Sequence, residues 1–396
     1  MTVYNNNISM KQIFMIGVTL IVLIQCYVTY HFELMLDSYS NDKQSTAKTT
    51  LTTTSTTNGN GNVTSSSQIV KETKAVETNK KITIINSNNN DPKNTTTTKS
   101  STATKRVLIL TPLKDASKHL QRYFDQLLTL TYPKHLVSLG FLVGDDDSNN
   151  NHDDNTFTTL QSILQQNPNN YHPYHDIKII QKSFQSSSTT TTTSIHQNNR
   201  HGYTIQQLRR SNIAKVRNYL LSSTLFNNNH NDNIDYVFWL DSDVHTIPTN
   251  IIEIMISVNK PIVVANCMFD EQKDKNTYTP RSFDLNSWVD TTKSIELMKS
   301  KPNHQLMLEG YSQEKTYRTS LNNLRGQSKK DDVTYVVELN GVGGTALMVD
   351  ADVHRQGIIF PSFVIDNAIE TEGLCRVAER NGFKCYGLPN LEVWHY

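Results

Sequence analysis

The sequence from Tyr236 to Pro248, Tyr-Val-Phe-Trp-Leu-Asp-Ser-Asp-Val-His-Thr-Ile-Pro, decides the fold prediction, because five apolar residues run directly into two aspartates. The apolar part has the length of a buried strand, and a buried carboxylate is costly unless an opposite charge pairs with it. Mn²⁺ and Mg²⁺ prefer oxygen ligands and keep positions open for phosphate oxygens. We therefore interpret Asp241, Ser242 and Asp243 as a site for a divalent cation that carries a nucleotide diphosphate. The alternative is a pair of turn and capping residues ahead of Pro248.

Strand and helix patterns alternate on both sides of this stretch. This alternation predicts an α/β fold in which helices flank a mostly parallel sheet. Because ligands of such sheets bind beyond the carboxyl ends of the strands, Thr111, Asp145 and Asp241 are expected to share one edge. The predicted strands are Val107–Leu110, Leu139–Val143, Ile177–Ile180, Tyr236–Leu240 and Ile262–Ala265, and the clearest predicted helices are His119–Leu130 and Arg209–Phe226.

Other side chains offer ligands or charges to such a site. His395 is a candidate metal ligand, since a neutral imidazole binds ions of the Mn²⁺ class. Arg217 suits a phosphate, whereas Arg209 and Arg210 are interpreted as a solvated helix face, with phosphate binding as the alternative. The glycines of Val337–Gly344 predict a tight loop on the side of the second substrate.

The segment Asp366–Arg380 predicts a helix that begins with acidic residues. Asp366, Glu370 and Glu372 are candidate catalytic carboxylates, which would accept or orient the proton of a substrate hydroxyl. The alternative is that these acids only complement the dipole at the start of the helix. The sequence leaves both interpretations open.

The chain divides into four predicted segments of contrasting composition. Residues 1–12 form a polar tail, 13–30 an uncharged apolar run that can span a bilayer, 31–104 a stem rich in Ser, Thr and Asn, and 105–396 the folded domain. Residues 37–104 of this stem cannot bury apolar surface and are predicted to be disordered.

The apolar run predicts an uncleaved membrane anchor with its amino end in the cytosol, because a lysine precedes it and acidic residues follow it. A cleaved signal peptide is the alternative, and the bulky Tyr30-His31-Phe32 after the run disfavours it. The domain and stem are then luminal, where Asn62 and Asn94 begin glycosylation sequons.

Charge and cysteine content argue against two kinds of function, nucleic-acid binding and zinc binding by cysteines. With 38 basic and 37 acidic residues, the net charge is +1, which gives no basic excess for nucleic-acid binding. A luminal domain permits one disulfide, and Cys375 with Cys385 is the closest pair in the sequence; three buried thiols, including Cys267, are the alternative. No pair of cysteines has the CxxC spacing, which disfavours a cysteine zinc site.

Eight short motifs, taken together, give the sequence a family resemblance. In this order they resemble the fungal Anp1/Mnn9/Van1 family of Golgi α-1,6-mannosyltransferases, over about residues 105–396. The motifs are Val107-Leu-Ile-Leu-Thr-Pro-Leu-Lys-Asp115, Phe141-Leu-Val-Gly-Asp145, Ala214-Lys-Val-Arg-Asn218, Trp239-Leu-Asp-Ser-Asp243-Val, Glu309-Gly-Tyr311, Tyr317-Arg-Thr319, Leu339-Asn-Gly-Val-Gly-Gly-Thr345 and Val393-Trp-His395.

The resemblance implies a GT-A fold, Mn²⁺ as cofactor and GDP-mannose as donor. It implies α-1,6 transfer, with retention of configuration, to the mannosylated N-glycan acceptor. It also implies a single-pass type II protein of the Golgi membrane, in a hetero-oligomer with related subunits of a mannan polymerase. By this resemblance the metal ligands are Asp241, Asp243 and His395, and the nucleotide-sugar pocket includes Thr111, Pro112, Asp145, Arg217, Asp241 and Ser242.

Two rival hypotheses remain beside this one. Related chains assemble with one another, so the chain is alternatively a non-catalytic structural subunit of such a complex. The other alternative is a GT-A enzyme that uses a different nucleotide sugar. If Asp243→Ala loses activity while the complex still assembles, the chain is catalytic and the first rival is excluded. Competition of GDP and of UDP with the donor distinguishes GDP-mannose from another nucleotide sugar.

Overall fold

The structure is a computed structural model. It describes residues 81–84, 104–144, 155–166, 168–182, 184, 202–226, 234–274, 277–327 and 331–396. The predicted tail, membrane anchor, most of the stem, both sequons and Asp145 lie outside the described residues. Within the described ranges, no helix is both long and apolar enough to cross a bilayer.

Strands and helices alternate through the compact unit, which begins at Thr78. The strands are β1 (Lys81–Ile84), β2 (Val107–Leu113), β3 (Val137–Gly144), β4 (Asp176–Lys182), β5 (Tyr236–Leu240), β6 (Val244–Thr246), β7 (Ile262–Asp274), β8 (Thr277–Ser282), β9 (Trp288–Val289), β10 (Thr319–Ser320), β11 (Val337–Leu339), β12 (Ala346–Asp350) and β13 (Cys385–His395). The α-helices are α1 (Ser117–Thr129), α2 (Thr156–Gln166), α3 (Pro168–Tyr171), α4 (Gln206–Thr224), α5 (Ile251–Ser257), α6 (Thr292–Lys299), α7 (Ala351–Arg355) and α8 (Glu370–Arg380).

The main sheet has the order β1-β4-β3-β2-β5-β12-β7-β13-β11. β2 pairs in parallel with β3 and β5, β3 with β4, and β7 with β13. β12 lies antiparallel between β5 and β7, so these two strands run in the same direction. The prediction of a mostly parallel sheet is confirmed. The carboxyl ends of β2 to β5, β7 and β13 therefore point toward one edge of the sheet.

Helices cover both faces of this sheet, as the alternating pattern predicts. Along β2, Val107 and Ile109 face one core cluster and Leu108 and Leu110 face the other, because successive side chains of a strand point to opposite faces. Helices α1, α2 and α5 pack on the first face. Helices α4, α7 and α8 pack on the second.

The prediction that residues 37–104 are disordered is wrong for Lys81–Ile84, which form β1 and pair antiparallel with β4. Lys81-Ile-Thr-Ile84 contains three β-branched residues, which favour extended backbone. The average composition of the stem concealed this short run, since four residues hardly change it.

Two strands are longer than their apolar runs. β2 continues through Thr111 and Pro112 to Leu113, so these two residues lie inside the strand and do not end it. β7 continues past Ala265 to Asp274 and pairs with β8 in a largely exposed hairpin. Cys267 and Met268 are still buried, whereas Asp270 to Lys273 are polar and exposed, so hydrophobicity gives no signal for the outer part of the strand.

One disulfide joins Cys375 in α8 to Cys385 at the start of β13. This confirms the prediction that the two cysteines closest in sequence form the disulfide, and the alternative of three buried thiols is wrong. Cys267 is buried as a free thiol. The disulfide therefore links the helix that carries Glu370 and Glu372 to the strand that ends in His395.

Candidate active site

The aspartates of the opening stretch meet His395 at the carboxyl edge of the sheet. β5 ends at Leu240, and the chain turns through Asp241–Asp243 into β6. β6 pairs with the last residues of β13, with Val244 opposite His395. This pairing places His395 Nε2 3.0 Å from Asp243 Oδ2. Two predicted metal ligands, 152 residues apart in sequence, are thus brought into contact by strand pairing.

The ring of His395 is fixed on two sides. Its Nδ1 lies 2.7 Å from the main-chain oxygen of Tyr396, and because this oxygen only accepts, Nδ1 carries the proton. The Phe283 ring stacks on the imidazole, with centroids 3.4 Å apart. A histidine that binds a metal characteristically donates its second ring N–H to such an oxygen, which leaves Nε2 for the ion. Here Nε2 lies 3.0 Å from the carboxylate of Asp243, which also only accepts, so Nε2 carries a proton as well and must release it before it binds an ion.

The two aspartates differ in electrostatics. Burial raises the pKa of Asp241 to about 7; the guanidinium of Arg217 opposes this rise, while the charges of Asp243 and Asp284 add to it. For Asp243, burial acts in the same direction, but the hydrogen bond and charge of His395 outweigh it and lower the pKa. A cation at this edge would favour the ionised form of Asp241, which the other carboxylates disfavour.

The described residues contain no group of three His, Cys, Asp or Glu side chains placed to hold a metal ion. His395 is hydrogen-bonded to Asp243, and Asp241 faces Arg217. The donor types nevertheless fit Mn²⁺, which accepts carboxylate oxygen and imidazole nitrogen. The hydrogen bond from His395 Nδ1 to the main-chain oxygen of Tyr396 also fits the role of a metal ligand. The metal site therefore stays a prediction.

Arg217 joins the predicted donor site to the start of α8. The guanidinium Nη2 lies 3.5 Å from Asp241 Oδ1, and Nε lies 3.1 Å from Glu370 Oε1. The side chain is buried, yet Nη1 has no hydrogen-bond partner among the described residues. A buried guanidinium N–H without an acceptor is costly, and both terminal nitrogens of Arg318 share this feature, so the position of Arg217 would be favoured by a further acceptor.

Asp284 belongs to this site, although the sequence did not single it out. Its Oδ2 accepts a hydrogen bond from the main-chain N–H of Gly344 at 3.0 Å. A Cβ on Gly343 would lie only 1.6 Å from the same oxygen, so glycine is needed for this close approach. Asp284 lies in the loop Phe283-Asp-Leu-Asn-Ser287 between β8 and β9, where it belongs to no recognisable sequence motif. The glycines of Val337–Gly344 thus make room for the carboxylate of Asp284.

The three candidate catalytic acids have different surroundings. Glu370 is buried and bound to Arg217. Glu372 has no exposed surface, and its carboxylate accepts from Arg210 Nη1 at 2.6 Å and from Trp288 Nε1 at 2.9 Å. Asp366 pairs with Arg380 at 2.7 Å outside this cluster. Of the three, only Glu370 shares a partner, Arg217, with Asp241. A catalytic role stays a prediction for all three.

The interpretation of Arg210 as part of a solvated helix face is wrong. Its side chain is buried, because α8 packs on α4 and presents the Glu372 carboxylate to it. Helical periodicity did not reveal this, since a buried ion pair places a charge where apolar residues are expected. Arg209, one position earlier, is partly exposed.

Thr111, Pro112 and Ser242, the other predicted pocket residues that the structure describes, lie along the same edge. Thr111 is fully buried, and its hydroxyl is 2.5 Å from that of Tyr123 in α1. Pro112 is partly exposed, and Ser242 is buried between the two aspartates. Their contacts with a nucleotide sugar stay predictions, as does that of Asp145.

A family model and several characterised proteins match this chain. Residues 81–364 match the Anp1 family model. The mannan polymerase complex subunit MNN9 of Candida albicans is 34% identical, covering 74% of this chain and 75% of its own length. The mnn9 subunit of Schizosaccharomyces pombe is 35% identical, with 74% and 80% covered. The ANP1 subunit of the mannan polymerase II complex of Saccharomyces cerevisiae is 32% identical, with 73% and 55% covered.

Solved structures resemble the chain more distantly. The mannosyltransferase PcManGT from Pyrobaculum calidifontis, in complex with GDP-Man and Mn²⁺, has a TM-score of 0.36 and 10% identity, covering 74% of this chain and 58% of its own. TarS of S. aureus in complex with UDP has a TM-score of 0.35 and 12% identity, covering 73% and 60%. The sequence matches, in contrast, are extensive: the chain belongs to the Anp1 family.

Proposed function

We propose that this chain is a metal-dependent, retaining mannosyltransferase with a GT-A fold. It transfers mannose from GDP-mannose, in an α-1,6 linkage, to an α-mannoside of N-linked glycans. It works at the Golgi membrane, with its domain in the lumen, in a hetero-oligomer with related subunits. The observation that carries the proposal is the meeting of Asp241, Asp243, His395 and Arg217 at the carboxyl edge of the sheet. The names of its relatives, subunits of mannan polymerase complexes, support the substrate class.

The donor is held by two kinds of charge. Asp241, Asp243 and His395 would hold Mn²⁺, which supplies positive charge that stabilises a diphosphate leaving group. Arg217 supplies a second cation, and its unpartnered Nη1 suits a phosphate oxygen. Thr111, Pro112, Asp145 and Ser242 line the nucleotide-sugar pocket in this proposal.

The acceptor hydroxyl needs a carboxylate that is open to it. Glu372 is enclosed by Arg210 and Trp288, and Glu370 is tied to Arg217. Asp284 is only partly buried, and its charge acts on Asp241. We therefore place Asp284 on the acceptor side of the donor site, where it would orient the incoming hydroxyl.

The test is a calorimetric titration of the full-length chain with GDP-mannose, with and without Mn²⁺. We expect saturable binding that requires Mn²⁺ and is lost in Asp243→Ala, because one of the predicted ligands is removed. Asp352→Ala is the matched control, since this aspartate is exposed in α7 and makes a local pair with Arg355. Excess GDP should displace the donor and excess UDP should not. A folded wild-type chain that binds no GDP-mannose would overturn the proposal.

The second candidate function is that of a non-catalytic subunit. The observation that favours it is the direct bond between His395 and Asp243, together with the lack of a formed three-residue metal group among the described residues. The two functions differ in one assay. A complex that contains Asp243→Ala and still transfers mannose at the wild-type rate would assign the chemistry to a partner subunit.

A further inference from the structure

Three residues just before and at the start of α8 have left-handed backbone conformations. The φ angles are +47° for Asp366, +63° for Asn367 and +57° for Glu370. Residues other than glycine adopt this region reluctantly, and they keep it where the surrounding structure imposes it. Such clusters concentrate at functional sites, so the side chains that this turn positions call for an explanation.

The surroundings hold the turn in place from several directions. The side-chain amide of Asn367 donates to the main-chain oxygens of Pro302 and Gln305 at 2.8 and 2.7 Å. The main-chain N–H of Glu370 donates to the oxygen of Pro361 at 3.0 Å. With these bonds in place, the side chain of Glu370 is turned inward, and only 6% of the residue is exposed.

The inward carboxylate of Glu370 holds one specific atom of Arg217. It accepts a hydrogen bond from Nε at 3.1 Å, which leaves both terminal nitrogens of the guanidinium for other contacts. Nη2 lies near Asp241, at 3.5 Å, and Nη1 is buried without a hydrogen-bond partner in the described part of the chain. A guanidinium held at Nε presents its terminal fork in a fixed direction.

The backbone of Gly344 restricts the position of the Arg217 guanidinium from a second side. A Cβ added to Gly344 would lie 2.4 Å from Nη2 and 2.9 Å from Cζ of Arg217. The backbone of Gly344 does not have a left-handed φ, so an alanine would suit the backbone and clash only with its neighbours. The absence of a side chain there is therefore required by the position of Arg217.

We propose that Glu370 is a positioning residue, which together with the bare backbone of Gly344 aims the unpartnered Nη1 of Arg217 at the diphosphate of the donor. This inference rests on the proposed function and changes the role assigned to Glu370, from a proton acceptor to the support of a cation. The strained turn before α8 fixes the carboxylate, the carboxylate fixes Nε, and the unpartnered Nη1 receives a phosphate oxygen.

The experiment compares Glu370→Gln, Glu370→Ala and Gly344→Ala in the full-length chain. Each variant is measured for the dissociation constant of GDP-mannose with Mn²⁺ by calorimetry, for kcat and acceptor KM of mannosyl transfer, and for Tm. Glutamine keeps an oxygen that accepts from Nε, whereas it cannot accept a proton as a base does. Glu338→Gln is the control, because Glu338 makes an exposed pair with Lys384 at 2.8 Å.

We expect Glu370→Gln to stay within about tenfold of the wild type in kcat, since a neutral acceptor forms a weaker bond of the same geometry. Glu370→Ala and Gly344→Ala should each lower kcat by about 100-fold, the scale at which loss of one fixed donor slows an enzyme. Both should also weaken GDP-mannose binding, and acceptor KM should change little.

Two results would overturn the inference. If Glu370→Gln loses as much kcat as Glu370→Ala, the carboxylate acts as a base. If Gly344→Ala binds and turns over the donor like the wild type, the guanidinium needs no such support. If Glu370→Ala does not fold, Glu370→Gln and Gly344→Ala still show whether Glu370 acts as a base or as the support of Arg217. A wild-type chain that binds no GDP-mannose contradicts the proposed function instead, so the two failures are distinct.

Discussion

Glu370 and Glu372 show how two acids of one helical turn acquire different tasks. Glu370 faces Arg217, which also reaches Asp241. Glu372 faces Arg210 and Trp288 and has no exposed surface. The Trp288 ring is itself packed under the guanidinium of Arg318, whose Cζ is 3.6 Å from the ring centroid. Glu372 is thus one anion of a buried ionic cluster, beside Asp290, which pairs with Arg318 and Arg376.

Removal of this anion should chiefly affect stability. In Glu372→Ala, Arg210 and the indole N–H of Trp288 would lose their partner inside the protein. We expect the free energy of unfolding to fall by about 3–5 kcal/mol, which is usual when one half of a buried ion pair is deleted. Denaturant unfolding measures this change.

The control for this prediction is Glu379→Ala in the same helix. The Glu379 side chain is 64% exposed, so its replacement should leave unfolding almost unchanged. A Glu372→Ala chain that is as stable as the control, yet inactive, would return Glu372 to the catalytic acids.

At the scale of elements, the sequence predicted β5 to its correct ends and most other strands and helices within four residues, whereas β7 extends well beyond its predicted end at Ala265, to Asp274. The prediction succeeded for β5 because this strand is buried on both faces, and a continuous apolar run has sharp limits. The pairing of β6 with β13 was not predictable, because neither segment carries a signal of its partner. The contact of Asp243 with His395, which depends on this pairing, was available only through the family resemblance.

The disulfide between α8 and β13 makes a prediction at this scale. Its loop spans a sequence separation of 10, for which the loss of unfolded-state entropy corresponds to about 3 kcal/mol. The double variant Cys375→Ala/Cys385→Ala should lose this much free energy of unfolding. Chemical denaturation with and without a reductant measures it.

A matched comparison is built into the same experiment. Reductant should destabilise the wild type and leave the double variant unchanged, because Cys267 has no partner to lose in the described chain. Equal sensitivity of the two proteins to reductant would contradict the structural role of this bond.

At the scale of the whole molecule, the boundary of the folded unit differs from the predicted one. The sequence placed it at residue 105, where the first strong apolar strand begins. The compact unit begins at Thr78, and the family model begins at residue 81, the first residue of β1. The composition of the stem concealed this boundary, since the strand is flanked on both sides by polar residues.

Two shortened chains should therefore behave differently. A chain that begins at Thr78 keeps β1, whereas one that begins at Ser101 leaves the edge of β4 without its antiparallel partner. We expect the shorter chain to unfold at lower denaturant concentration and to aggregate more, because an open strand edge pairs with other chains. Unfolding curves and light scattering measure both effects.

The control is the longer chain with Ile82→Pro and Ile84→Pro. Proline cannot donate to the strand ladder, so this chain should resemble the one that begins at Ser101. If all three chains are alike, β1 contributes nothing to the folded unit.

The tryptophans also have a practical consequence. The chain has three: Trp239 two residues before Asp241, Trp288 hydrogen-bonded to Glu372, and Trp394 next to His395 in the sequence. The Cζ of Arg217 is 5.4 Å from the Trp239 ring, and Arg318 covers Trp288. Part of the ultraviolet emission of this protein therefore originates from Trp239, which lies beside the Arg217 guanidinium. Any ligand that draws Arg217 away from Trp239 should change that emission, so the molecule carries an optical sensor of its occupancy without an added dye.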